Sequence, residues 1–388
     1  MKTVYLDNSA TTPLCPEAVA AMQEAMTCFG NPSSLHGVGQ AAHTLVEKAR
    51  REVSAALGLR GTKPGELIFT GSGTEASVTA IWGTVYAKAR RSARRILTTN
   101  CEHPSVEQTL SRLEADGFEV VRIPTIGGVL DTEVAIHALE VPTLLVTMMA
   151  VNNETGALFD VAKVFAAAKA RDARTVTHCD AVQAFCKMPL TPAGLRADLV
   201  TVSAHKIHGP KGVGALYVHP EILKTRSLIP LVPGGGQEAA LRSGTENVIG
   251  IAGFGAAAAA SQSTMTADVA HMTSLRDALD ARLGEMGIRV NRPKEGRAPH
   301  IVNLTLPDIK SQTMLNFLSA RGICVSSGSA CASHGQKVSA SLLAHGLSAR
   351  EADCSLRVSF SPRNTREDIE AFCEALAAGI STLVRIRR

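Results

Sequence analysis

The sequence predicts an α/β fold: a mostly parallel sheet with helices on both faces, followed by a smaller α+β domain. Three observations carry that prediction. Short apolar runs alternate with helix-length segments from residue 66 onward. Gly, Pro, Asn and Asp punctuate the joints between them. At 388 residues, 45% hydrophobic and 19% charged, the chain can bury a sizeable core and has an ordinary globular balance.

ELIFT (66–70) reads as a buried strand and Thr74 to Arg90 as a helix. RRILTTN (94–100) is the next strand, with a helix over roughly 105–116. FEVVRI (118–123), a helix near 131–139 and TLLVTMMAV (143–151) continue the alternation. A helix at 161–171 leads to RTVTHCD (174–180), and ADLVTVSA (197–204) and GVGALYV (213–219) are two further strands. Strand and helix alternating this often place helices on both faces of a mostly parallel sheet. The apolar Ala/Gly-rich stretch from Val248 to Ala260 reads as a close-packed helix, too short to span a bilayer. Beyond it, HIVNLTL (300–306), GICVS (322–326) and SLRVSF (355–360) are strands separated by helices, with a closing helix from about Arg366 to Leu383. The expected division is a large domain over 15–260 and a small one from 1–14 with 261–388.

The totals exclude some functions. A formal charge of +5 without a long basic run argues against direct nucleic-acid binding. The N-terminal MKTVYLDNSATTP has no signal-peptide pattern, so no membrane association and a cytoplasmic location are expected. Nine cysteines with no C-x-x-C pair make a disulfide framework or a zinc knuckle improbable, and no metal site is expected.

Ligands in such sheets bind beyond the carboxyl ends of the strands. Five of the strands end in polar segments: Gly71-Ser72-Gly73-Thr74-Glu75, Glu102-His103, Asn152-Asn153-Glu154, Asp180 with Gln183, and Ser203-Ala204-His205-Lys206. Each alone reads as a polar turn. Five on one edge read as a site. Gly71-Ser72-Gly73-Thr74 between a strand and a helix offers open backbone N–H groups to a phosphate. It also fits G-x-G-x-x-A, but no Asp or Glu lies between Glu75 and Glu102 to hold a ribose. An NADP enzyme using Arg94 and Arg95 is the rival reading. A lysine facing a phosphate site and an aspartate is what pyridoxal phosphate requires, an amine for its aldehyde and an acid for its pyridine nitrogen. Lys206 and Asp180 suit those roles, and His103 suits stacking on the ring.

In this order, YLDNSATTP (5–13), GNPSSLH (30–36), FTGSGTEA (69–76), EHPSV (102–106), NNETG (152–156), DAVQ (180–183), SAHKIHGPKGVGALY (203–217), GGGQE (234–238), RSGTENV (242–248), SSGSACAS (326–333) and LRVSFSPRNT (356–365) resemble the cysteine desulfurases. These are class V aminotransferase-like, fold type I pyridoxal-phosphate enzymes, and the likeness leans toward the nitrogen-fixation and iron–sulfur-cluster branch. The resemblance implies pyridoxal 5′-phosphate as cofactor, with Lys206 as its amine partner and Asp180 on the pyridine nitrogen. It further implies Gln183 and Asn153 near the ring hydroxyl, His103 on the ring face, and Gly73, Thr74, Ser203 and His205 on the phosphate. Thr245 would reach the phosphate from the second subunit of a homodimer, and Arg357 would take the substrate carboxylate beside Asn153. Two departures stand out. Gly71-Ser72-Gly73 replaces a frequent Ser-Gly-Ala, and Ser77-Val78 stands where asparagines are common.

Cys331, in SSGSACASHG, has only small and polar neighbours, which suits a reactive thiol, whereas Cys101, Cys179 and Cys324 sit in strand patterns as inert core. The resemblance implies that L-cysteine becomes L-alanine while Cys331 takes the sulfur as a persulfide for an acceptor scaffold of iron–sulfur cluster or thio-cofactor assembly. Lys206 would act as base and His103 would move protons. Selenocysteine lyase and aminotransferase share this fold and cofactor.

Overall fold

A computed structural model describes residues 3–87, 93–327 and 338–383. In chain order its strands are β1 (Val4–Tyr5), β2 (Leu67–Thr70), β3 (Arg95–Thr99), β4 (Glu119–Ile123), β5 (Thr125–Ile126), β6 (Val129–Leu130), β7 (Leu145–Met149), β8 (Val176–Asp180), β9 (Leu199–Ser203), β10 (Gly214–Val218), β11 (Arg289–Val290), β12 (Ile301–Thr305), β13 (Ile323–Cys324), β14 (Ser326–Ser327) and β15 (Ser355–Ser359). Its helices are α1 (Pro16–Met26), α2 (Gly37–Ala56), α3 (Gly73–Tyr86), α4 (Pro104–Ala115), α5 (Thr132–Ala138), α6 (Val161–Arg171), α7 (Pro192–Leu195), α8 (Pro220–Lys224), α9 (Val248–Glu285), α10 (Ser311–Ser319), α11 (Ala340–Ala344), α12 (Ala349–Asp353) and α13 (Arg366–Thr382).

Seven strands form the large sheet, in the order β2-β10-β9-β8-β7-β3-β4. Strands β4, β3, β7, β8 and β9 run parallel, while β10 is antiparallel to both of its neighbours, β9 and β2. Strand β2 therefore points the same way as β9, and the carboxyl ends of β2, β3, β7, β8 and β9 share one edge. Strands β2, β7, β8, β9 and β10 are buried along their whole length, as a sheet covered on both faces requires. Within these buried strands His178 bridges Thr147 Oγ1 at 2.8 Å and Thr201 Oγ1 at 3.0 Å. That burial pushes the His178 imidazole down to about 3.

A four-stranded sheet, β11-β12-β15-β14, packs over a second core in which Val4 and Leu6 join residues from Met272 onward. The N-terminal strand reaches it by pairing in parallel with β13. Helix α9 differs from the expected short element. It runs unbroken for 38 residues across the expected boundary at 260/261. Ile251, Phe254, Ala257 and Ala258 join the large core, and Met272, Leu275, Leu279 and Leu283 join the small one. By length and composition α9 could cross a membrane, yet half of its most apolar window is buried inside the protein, as in a core helix.

Candidate active site

The cavity at the shared strand edge holds about 340 Å³, and most of the expected site residues line it: Gly73, Thr74, His103, Asn153, Asp180, Gln183, Ser203, His205, Lys206 and Arg357. Thr245 does not line it. It lies exposed, one residue past Gly244, which turns at φ +112. Cys331 lies outside the described residues.

At one end, the turn between β2 and α3 offers the first backbone N–H groups of a helix, which have no intrahelical acceptor. Ser72 caps α3 through Glu75 N at 3.1 Å, and Glu75 accepts from Gly71 N at 2.8 Å and pairs with Arg242. Glu75 is thereby a structural clamp on the turn. A Cβ at Gly73 would stand 3.1 Å from Ser203 Cβ and 3.2 Å from Val182 Cγ2, so a side chain there would narrow the cradle. Gly214 lets β10 pass under the same turn, since a Cβ there would meet Ser72 C at 2.5 Å. Ser203 Oγ is buried and has no hydrogen-bond partner in the protein. A buried hydroxyl left this way needs an acceptor or donor from elsewhere, and a phosphate over the helix N-terminus would supply one. His205 shares its Nδ1 with Thr11 Oγ1 at 3.2 Å, and burial, then the Lys206 charge, pushes it down to about 4. This end is therefore lined by uncharged donors.

Lys206 follows β9 on a short 3₁₀ turn, and its Nζ donates to the carbonyls of Ser9 and Ala10 at 2.5 and 2.7 Å. Asp180, the last residue of β8, accepts from Val182 N at 3.0 Å. His103 is the N-cap of α4 and shares its Nδ1 with Ser105 Oγ at 2.8 Å. Burial lowers His103 and raises the Asp180 carboxyl, while each stabilises the charge on the other. A cation beside Asp180, such as a protonated ring nitrogen, would favour its ionised form.

The opposite end is charged. Arg357, buried on β15, donates to Asn153 O and to Asp7 Oδ1, both at 2.9 Å, and its Nε is buried without a partner. Glu154 beside it is raised to about 7 by burial and accepts from Ser339 Oγ at 2.6 Å. Asp7 also accepts from Ser326 Oγ at 3.3 Å.

Sequence reasoning did not single out Asp7, Ser9 and Ala10 as site residues. They lie in YLDNSATTP, whose polar spacing carries no chemical signature of its own. The NADP reading is corrected by position. Arg94 and Arg95 lie at the amino end of β3, on the sheet edge away from the cavity. They are held there by Asp116 O, Gly117 O, Ala138 O and Glu119. Cys101 and Cys179 are buried thiols raised by that burial, Cys101 to about 12, as inert core cysteines should be. All eight described cysteines are free.

The description "Aminotransferase class-V" belongs to the family model that matches residues 4–372. A cysteine desulfurase of Enterobacter agglomerans is 40% identical over 374 residues, covering 95% of this chain and 90% of the relative. Among solved structures, a NifS-like protein superposes with a TM-score of 0.90 at 34% identity, covering 98% of this chain and 100% of that one. Another, SspA in complex with cysteine, gives a TM-score of 0.78 at 29% identity, covering 94% of this chain and 100% of the other.

Proposed function

The chain belongs to the class-V aminotransferase family, among its cysteine desulfurases, and from that membership we propose that its cavity binds pyridoxal phosphate and L-cysteine and passes sulfur to Cys331. The observation that carries this reading is one cavity with a neutral phosphate cradle at one end, Lys206 and Asp180 in the middle, and an arginine at the other. When bound, the cofactor supplies an electron sink for the substrate's Cα.

Gly73, Thr74, Ser203 and His205 hold its phosphate, with Thr245 supplied by a second subunit of a homodimer. Lys206 is its amine anchor and the base that takes the Cα proton. Asp180 keeps the ring nitrogen protonated, Gln183 and Asn153 orient the ring edge, and the neutral His103 covers the ring face and moves protons there. Arg357 fixes the substrate carboxylate, and Cys331 takes the sulfur. In the net transfer the substrate C–S bond breaks and a Cys331 S–S bond forms. Cysteine leaves as alanine, and the persulfide goes to an acceptor protein of iron–sulfur or thio-cofactor assembly in the cytoplasm. The large domain over 15–260 carries the cofactor, and the small one, 1–14 with 261–388, carries Cys331.

The test is to incubate purified protein with L-cysteine and a reductant and quantify both products. Alanine and sulfide in equal amounts are expected. A yellow protein that makes neither moves the substrate to another amino acid. Cys331→Ala should keep the cofactor and form no persulfide. Sulfide release at the parent rate would put the sulfur on another cysteine.

A further inference from the structure

Lys187 is a buried charge that this scheme does not use. It lies in the turn after β8 with 8% of its surface exposed. Lysines are almost never this buried unless an acid pairs with them, and among the described residues none does so here. Its Nζ donates instead to Gln183 Oε1 at 3.2 Å. Gln183 turns its Nε2 to the Ser9 carbonyl at 2.9 Å, and the same carbonyl accepts from Lys206 Nζ at 2.5 Å. His300 Nε2 stands 3.4 Å from Gln183 Oε1, and its Nδ1 is buried without a partner. An amine, an amide and a carbonyl thus connect Lys187 to Lys206.

The ionisable groups facing Lys187 come from several elements. Cys186 is on its own turn, His205, Lys206 and His208 are on the segment after β9, His300 precedes β12, and Arg357 is on β15. The permanent charges among them are positive. Burial first, then the charge of Lys206, pushes Lys187 down to about 7, so it changes charge near neutral pH.

We propose that Lys187 is a positioning residue for Lys206, which fixes the Lys206 amine through Gln183 and the Ser9 carbonyl and, when charged, makes the Lys206 nitrogen give up its proton more readily. This rests on the reading of Lys206 as the cofactor's anchor. Like charges close together in a low-dielectric site disfavour each other's protonation.

The test is a pH titration of the visible absorbance of the purified holoenzyme, comparing Lys187→Arg, which stays charged, with Lys187→Met, which cannot be. The midpoint in Lys187→Arg should lie below that in Lys187→Met by roughly one pH unit. Equal midpoints, or the reverse order, overturn the proposal. If Lys187→Met melts far below the parent, Lys187→Gln takes its place, since it keeps a donor for Gln183 without the charge. Lys206→Ala is the control for the underlying reading. It should abolish the visible band, and a retained band overturns the Lys206 assignment and this inference with it.

Discussion

The two ends of the cavity offer an anion opposite kinds of donor. Toward Gly73 the donors are backbone N–H groups, the unpartnered Ser203 hydroxyl and a His205 held neutral by burial. Toward Arg357 the donor is a full charge, kept in place by Asp7 and the Asn153 carbonyl. Dipoles fixed by a helix end need no counter-charge when the site is empty, whereas a buried guanidinium does. A ligand group that stays through many cycles suits the first arrangement. A substrate group that must leave each cycle suits the second, where Asp7 can reclaim the arginine.

Four substitutions test that contrast. The largest effect is expected from Arg357→Ala, which removes the charged donor and strands Asp7. Steady-state kinetics should show kcat/KM for L-cysteine falling on the order of a hundredfold, with cofactor content unchanged. At the other end, Gly73→Ala pushes a methyl toward Ser203 and Val182. Equilibrium dialysis should show pyridoxal phosphate held about tenfold more weakly, while kcat at saturating cofactor stays close to the parent's. If the two variants exchange these readouts, the assignment of the ends is reversed.

Asp7→Asn keeps an acceptor beside Arg357 and removes the competing charge. Its KM for L-cysteine should fall about threefold, and alanine should inhibit more strongly by a similar factor. A raised KM would mean that Asp7 acts by orientation alone. The smallest effect is expected at Glu102, which is buried just after β3, accepts from Thr99 Oγ1 and Met149 N, and is raised from 4.5 to about 8 by burial. The folded protein holds that proton more tightly than the unfolded chain does, so stability falls as pH rises from about 4.5 to 8. Melting curves of Glu102→Gln should therefore gain on the parent by a few degrees between pH 5 and pH 8.

The contrast also sets how much of the site is legible in the sequence. At the neutral end Gly71 to Thr74 lie on one continuous strand, turn and helix and read directly from their spacing, and Ser203 and His205 join them from the end of β9. The charged end joins Asp7, Asn153 and Arg357, and a pair of residues 350 positions apart leaves no local trace. The direction of β10 is legible in principle. Between Ser203 and Gly214 there is no room for a crossover helix, so the return must be antiparallel. The extent of α9 escapes the sequence reading for a different reason. Its apolar run stops at Ala260, but Met272, Leu275, Leu279 and Leu283 continue at helical spacing, and a stripe is visible only as a period. Helices α1 and α2 precede the region where strands and helices alternate, and that alternation could not point to them.

That helix has a mechanical consequence. Between Ala258 and Met272 no residue of α9 is fully buried, and the helix passes from one core to the other over a half-exposed stretch that Ser261 and Gln262 tie to Ile207 O and Ala55 O. At about 1.5 Å per residue, its 38 residues make a beam of nearly 60 Å loaded at both ends. The small sheet carries Arg357, and its angle to the Gly73 turn is therefore set in part by the stiffness of the few turns between Ala258 and Met272. Nicking the chain there would cut one tie between the cores and leave the direct ones, such as Asn303 to Glu154 O and Arg357 to Asn153 O, to hold the angle.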